Sequence, residues 1–377
     1  MKRLSVFLFV ILLTLSASAL AKKSFTLSGK KYKPKSEKIL RIKWQRGLKA
    51  GSPKKRYYPE SGAPTVQDGI VFVGTHGKVF YALNQSDGKI LWKFKNDEPI
   101  ATTPTATSGK VIFSDLGGRV IALSTADGAL LWQQGFNREI LGKPLVLDGK
   151  VYLIKGERDI LALSLADGHV VWTKTIKTFV RNFTMHGHAD IVADGQKLYF
   201  GLADGQLYAL NAANGSVLWS KNLTVPLKKF KDIDAKVVIE GNSLFIGGYT
   251  TGFYRLNKFN GAVLWRADVN TAGGAVVLKD RVVVSDTEGR LVGLDKASGR
   301  QLWFNELNDS IISQPVLFQD KIFVASYDQD GFVVDPQNGN ELQRLGLKQG
   351  SLNTPVRDGG DIFVFTSEAR LLNLVPK

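Results

Sequence analysis

Apolar and polar residues alternate with a period of two through most of this chain, in short runs broken by turns rich in Gly, Asp and Asn. The stretch from Ile70 to Gly74, then His76-Gly77, then Lys78 to Leu83 is one example. Such alternation predicts short strands with one face buried, and turn signals at this density predict tight hairpins, so the local unit is an antiparallel meander. One phrase closes each unit: an apolar strand, a turn ending in Gly, and Trp four residues later. The copies read YALNQSDGKILW to Trp92, IALSTADGALLW to Trp132, LALSLADGHVVW to Trp172 and YALNAANGSVLW to Trp219. Three more read YRLNKFNGAVLW to Trp265, VGLDKASGRQLW to Trp303 and VVDPQNGNELQ to Gln343, at spacings of 40, 40, 47, 46, 38 and 40 residues. The glycines at 88, 128, 168, 215, 261, 299 and 339 stand where the hairpin needs a positive φ.

Four-stranded units of about 40 residues are propeller blades, which bury sheet against sheet around an axis. After Gln343 three strands fit, near Pro355–Arg357, Asp361–Thr366 and Leu371–Val375. The missing outer strand stands at the other end, where Lys38 to Trp44 has the outer-strand pattern and Leu40 replaces the hairpin Gly. The expected fold is all-β, an eight-bladed β-propeller of four-stranded antiparallel blades over residues 38–377. Its last blade is closed by the N-terminal strand, which leaves the ring no raw edge. Trp44, Trp92, Trp132, Trp172, Trp219, Trp265 and Trp303 recur once per blade, as residues that pack blade on blade do. Gln343 in that position predicts a more polar interblade contact.

In a meander, the link from each outer strand to the next inner strand shares a face with the turn between the second and third strands. From the blade Trp to the next Asp-Gly-type turn the ordinary distance is 15 to 17 residues, as in Trp132 to Asp148 and Trp303 to Asp320. Trp172 to Asp194 and Trp219 to Gly241 span 22, and Trp44 to Asp68 spans 24. Two of these links hold Phe179, Val180, Arg181, Phe183 and Met185, and Lys228, Lys229, Phe230, Lys231, Asp232 and Asp234. Aromatic, Met and Arg anchors among paired charges have the composition of a protein interface; apolar pins that merely hold long loops to the body are the plainer alternative.

The first residues change the compartment. Met1, Lys2 and Arg3 precede an apolar run from Leu4 to Leu15 and the small residues Ser16-Ala17-Ser18-Ala19-Leu20-Ala21. That is the pattern of a secretory signal peptide over residues 1–21, cleaved after Ala21 or Ala19. The run is shorter than the roughly 20 residues of a membrane-spanning helix. Cysteine is absent, which excludes a disulfide framework, a thiolate site and a lipid on an N-terminal cysteine. The formal charge of +16 is local: fourteen basic residues lie between Lys22 and Arg56 against the single acid Glu37. Together with Lys2 and Arg3 they carry all but one of the net charges. Residues 22–37 read as a disordered cationic arm, with Lys22, Lys23, Lys30, Lys31, Lys33 and Lys35 suited to an anionic surface of lipid or lipopolysaccharide. In an exported protein no nucleic-acid partner is expected.

Catalytic signatures are missing. There is no Gly-x-Ser-x-Gly, no phosphate loop and no His-Glu-x-x-His. His186-Gly187-His188 with Asp190 falls short of a zinc ligand set, and Tyr327-Asp328-Gln329-Asp330-Gly331 lacks the spacing of a calcium loop and fits a turn. No metal, no cofactor and no enzymatic activity are expected.

The repeat Ala-Leu-x-x-x-x-Gly-x-x-x-Trp resembles that of pyrroloquinoline-quinone-type propellers, and across nearly all the mature chain it is similar to the BamB family of outer-membrane assembly factors. Phe230-Lys231-Asp232-Ile233-Asp234 resembles the family's Leu-Ser-Asp-Val-Asp link, and Val180-Arg181-Asn182 is similar to its Leu-Arg loop. The resemblance implies a monomeric periplasmic scaffold docking on the periplasmic domains of a BamA-type barrel-assembly protein. It implies Arg181, Asp232 and Asp234 as polar docking residues and Val180 as an apolar one. Family members are usually lipoproteins, and this chain departs from them in having no cysteine to lipidate. Two other readings remain: a quinoprotein oxidoreductase using the propeller axis, and a propeller that binds another exported protein or a polysaccharide.

Overall fold

The computed structural model describes residues 38–48, 60–177, 190–224, 233, 235–271, 273–351 and 353–377. These form strands and turns, with no helix, in eight four-stranded sheets. Blade 1 runs through Thr65–Gln67, Ile70–Gly74, Val79–Asn84 and Ile90–Lys95, each strand antiparallel to the next. Blades 2 to 7 repeat this order, beginning at Thr105, Leu145, Val192, Val238, Ala275 and Val316. Blade 8 takes Val356–Asp358, Asp361–Phe365 and Arg370–Pro376 from the end of the chain and Leu40–Gly47 from its start. The closing pair is in register from Leu40 opposite Pro376 to Gly47 opposite Arg370, and this seals the eight blades into a ring.

The alternation does something different from what a half-buried strand requires. The two middle strands of a blade are buried on both faces, and successive residues go to different cores. Val71, Val73, Tyr81 and Leu83 pack with Phe363, Phe365 and Leu371 of blade 8. Their neighbours Phe72, Phe80 and Ala82 pack with Val111, Phe113, Ile121 and Leu123 of blade 2. A blade is clamped between two others, so period two sorts side chains between left and right neighbours rather than between core and water. The outer strands show a solvent face, where Ile90 and Leu91 are 46% and 50% exposed.

Each outer strand carries a bulge just before its Trp, or before Gln343 in blade 7. Ala82 pairs with Trp92 but Leu83 pairs with Ile90, leaving Leu91 as an extra residue. The same shift recurs in every blade, including the closing strand, where Lys43 is extra between Ile42 and Trp44. A bulge bends a strand and turns the next side chain. Here that side chain is the indole, and it reaches the following blade. Trp44 Nε1 donates to Gln85 O at 2.9 Å, Trp92 to Thr125 O at 3.0 Å, and Trp132 to Leu165 O at 3.1 Å. Trp172, Trp219, Trp265 and Trp303 do the same to Ala212, Lys258, Lys296 and Pro336. The ring lies flat on the turn glycine: a Cβ added to Gly128 would stand 2.5 Å from Trp92 Cε3. These glycines therefore meet two demands, a φ of +76° in the case of Gly128 and room for a neighbour's indole.

At the junction of blades 7 and 8 the pattern changes. Blade 8 reaches its outer strand by no hairpin, so there is no glycine turn to cover. Gln343, 5% exposed, accepts from Ile39 N at 2.8 Å and Leu40 N at 2.7 Å and donates from Nε2 to Leu40 O at 2.8 Å. One amide thus satisfies three backbone groups at the start of the closing strand, two of them on buried Leu40.

Candidate functional site

Two of the links between blades show, in their described residues, how a link is anchored before it reaches the next inner strand. Ile100 N donates to Thr75 O at 3.0 Å and Ile233 N to Leu202 O at 3.4 Å, which places each isoleucine on the second turn of the blade it leaves. Both are fully buried. Gly74 and Gly201 leave the space these residues occupy, since a Cβ on either would collide with Ile100 or Ile233. The link into blade 1 ends on Glu60, also buried. Its carboxylate accepts from His76 N at 2.8 Å, its N–H donates to Ser367 O, and its carbonyl accepts from Asn353 Nδ2.

Val180, Arg181, Phe183, Phe230, Asp232 and Asp234 lie outside the described residues, as do His186, His188 and the lysines of the basic arm. Ile233 is the described residue of the Phe230–Asp234 stretch, and it is a core residue between blades 4 and 5. In the turn that follows Leu202, Asp204 accepts from Tyr208 Oη at 3.0 Å. Burial pushes the Asp204 carboxyl above the usual carboxylate range against the pull of hydrogen bonds from Gln206 and Tyr208. Tyr327, with Asp328 and Gln329, forms a turn, as the sequence suggests. Sequence reasoning missed an exposed apolar pair on the link face of blade 7: Ile311 and Tyr327 are 55% and 51% exposed and joined by Tyr327 N to Ile311 O. Nothing in the local pattern distinguishes them from apolar residues that go inside.

A second feature sits at the inner end of the same links. The residue two positions before the inner strand is, from blade 1 to blade 8, Ala63, Thr103, Lys143, Asp190, Lys236, Gly273, Gln314 and Thr354. Neighbours in this series touch: Ala63 N donates to Thr103 Oγ1 at 3.0 Å and Lys143 N to Asp190 Oδ1 at 2.9 Å. Burial pushes the Lys143 ammonium below its ordinary value, the charge of Lys236 adds to this, and Asp190 opposes it. Among the described residues no group of His, Asp and Glu is placed to hold a metal ion.

A family model described as outer membrane protein assembly factor BamB matches residues 37–128, 107–257 and 253–377. No curated protein matches the chain. Among solved structures, BamB from Moraxella catarrhalis superposes with a TM-score of 0.80 at 19% identity, covering 89% of this chain and 100% of that one. A europium-containing methanol dehydrogenase gives 0.75 at 13% identity, over 89% of this chain and 93% of the enzyme. The quinohemoprotein alcohol dehydrogenase from Comamonas testosteroni gives 0.71 at 14%, over 90% and 76%. At such identities the structural likenesses establish the propeller alone, whereas the family model follows the sequence from residue 37 to the last one: the chain belongs to the family of the outer membrane protein assembly factor BamB.

Proposed function

We propose that this protein is a non-enzymatic scaffold of outer-membrane assembly, exported by a signal peptide over residues 1–21 and acting in the periplasm without a lipid anchor. Family membership over the whole propeller is the observation that carries this reading. The propeller, as a monomer, docks on the periplasmic domains of a BamA-type barrel-assembly protein through the links that follow Trp172 and Trp219. Their 22-residue spans, against 15 to 17 in the ordinary links, and their mixture of aromatic and charged residues support that reading. In pull-downs from solubilised membranes the wild type retains the BamA-type protein. Reversal of charge at Arg181, or at Asp232 with Asp234, lowers recovery about tenfold, as loss of an interface hot spot does. Undiminished recovery by both variants sinks the docking reading, and a quinone absorbance band in reconstituted protein would favour the oxidoreductase reading instead.

The basic arm, residues 22–37, takes the place of the lipid by holding the protein near an anionic lipid or lipopolysaccharide surface. Each contacting charge contributes about 1 kcal/mol near such a surface and less as salt screens it. Deletion of residues 22–35 therefore lowers association with anionic vesicles, and equal association by the shortened protein removes the arm from the account.

A further inference from the structure

The turn between the two middle strands of a blade is tied to the incoming link by a backbone bond that recurs around the ring. Leu116 N donates to Pro99 O, Gly156 N to Glu139 O, Thr287 N to Asn270 O, Tyr327 N to Ile311 O and Ser367 N to Gly350 O, at 2.9 to 3.1 Å. The bond needs only backbone, and blades 3, 6 and 8 place small or polar residues there. Blade 7 places Ile311 and Tyr327, 55% and 51% exposed, and blade 2 approaches it with Leu116, 38% exposed, beside a half-buried Pro99. Period two accounts for the exposure. Ile312 and Ser326 form an antiparallel bridge and are both buried, so the residues one step outward, Ile311 and Tyr327, stand opposite each other on the side turned away from the core.

The platform under the pair is stiff. Ser326 Oγ accepts from Asn308 Nδ2 at 2.7 Å and from Asp328 N at 3.0 Å, Leu347 N donates to Gln329 O at 2.6 Å, and a Cβ on Gly350 would collide with Tyr327 O. An isoleucine and a tyrosine held in this way offer apolar area without the ordering cost that a loose loop incurs on binding. The charges around them have one sign. The link from Asn308 to Gln314 and the turn from Ser326 to Asp330 hold Asp309, Asp328 and Asp330 and no base. Asp309 and Asp328 are exposed, and among the described residues neither makes an ion pair. Arg344 on the outer strand is taken up by Asp330 and Glu341, and exposed Lys348 stands on the following link.

We infer that Ile311 and Tyr327 of blade 7 form a docking surface for a polypeptide segment that carries an apolar side chain between lysines or arginines. Two acids flanking an apolar pair select such a segment by charge. They select against a second copy of this chain, whose own Asp309 and Asp328 would be brought up to the same acids. The links that follow Trp172 and Trp219 lead into blades 4 and 5, so this surface on blade 7 is separate from the docking reading above and does not rest on it.

Methyl NMR of the intact protein labelled at isoleucine Cδ1, with the Ile311 resonance assigned through Ile311→Val, tests this. The capped peptide Gly-Lys-Leu-Lys-Gly shifts the Ile311 methyl and leaves that of buried Ile121 in blade 2 unmoved. Tyr327→Ser weakens peptide binding about tenfold, as loss of an interface anchor does, and Asp309→Asn combined with Asp328→Asn weakens it about threefold. Both variants keep the methyl spectrum of the core. The peptides Gly-Glu-Leu-Glu-Gly and Gly-Lys-Gly-Lys-Gly leave Ile311 unmoved. Equal binding of the glutamate peptide would overturn the basic partner. A shift of Ile311 that grows with protein concentration in the absence of peptide, and is abolished by Tyr327→Ser, would overturn that partner in favour of a second copy. No response of Ile311 to Gly-Lys-Leu-Lys-Gly would overturn the surface itself. No BamA-type protein takes part in the measurement, so its outcome stands whatever the pull-downs show.

Discussion

At seven junctions of the ring, the indole of one blade covers a glycine turn of the next; at the eighth, between blades 7 and 8, a glutamine grips bare backbone. The two arrangements occupy the same position on the outer strand, after the same bulge. The side chain there is set by what the following blade presents. A hairpin offers a flat glycine and a free carbonyl, which an indole covers with apolar surface and one N–H. A strand that arrives from elsewhere offers unpaired N–H and C=O groups, which only a side chain able to donate and accept can satisfy.

The comparison can be broken most sharply at the indole side. Gly128→Ala adds a methyl where Trp92 lies and imposes a left-handed backbone on a residue with a Cβ, so urea unfolding should show a loss of about 3 kcal/mol. Gln343→Leu keeps the volume and leaves backbone groups of Ile39 and Leu40 without partners, for a loss of about 2 kcal/mol. Hydrogen exchange in that variant should quicken in residues 40–47 and in blade 8 and leave blade 3 unchanged. Uniform quickening would mean that Gln343 is ordinary packing. The smallest effect belongs to Gly109→Ala: Gly109 has φ +74° and nothing within 4 Å of an added Cβ, so only the backbone penalty of about 1 kcal/mol applies. If Gly109→Ala and Gly128→Ala lost equal stability, the indole contact would contribute nothing.

The ring was legible in the sequence because its repeat is local: each blade announces itself by a turn glycine and a Trp four residues on. The closing strand could be placed because Trp44 keeps that signature without the turn. The two-sided burial of the middle strands was not legible, since Val71 and Phe72 are both apolar and period two does not say whether the second face meets water or a neighbour. Nor was the bulge, which is a matter of register with a partner strand. The candidate site was legible in part. Lys143 reads as an ordinary Lys-Pro before a strand, and its hydrogen bond to Asp190 of the next blade appears only when blades 3 and 4 are set side by side. Ile233 illustrates the opposite limit: in the midst of charged residues it looks like part of an interface, and it is a buried pin.

Pairing Leu40 with Pro376 also orders events in time. The first strand to be synthesised cannot find its neighbour until the last has been made, so seven blades can stack in sequence while residues 40–47 wait as an unpaired edge. Such an edge invites pairing with another chain. The final step joins ends more than three hundred residues apart, but because closure entropy grows only with the logarithm of length, that distance adds little to the difficulty once the intervening blades are built.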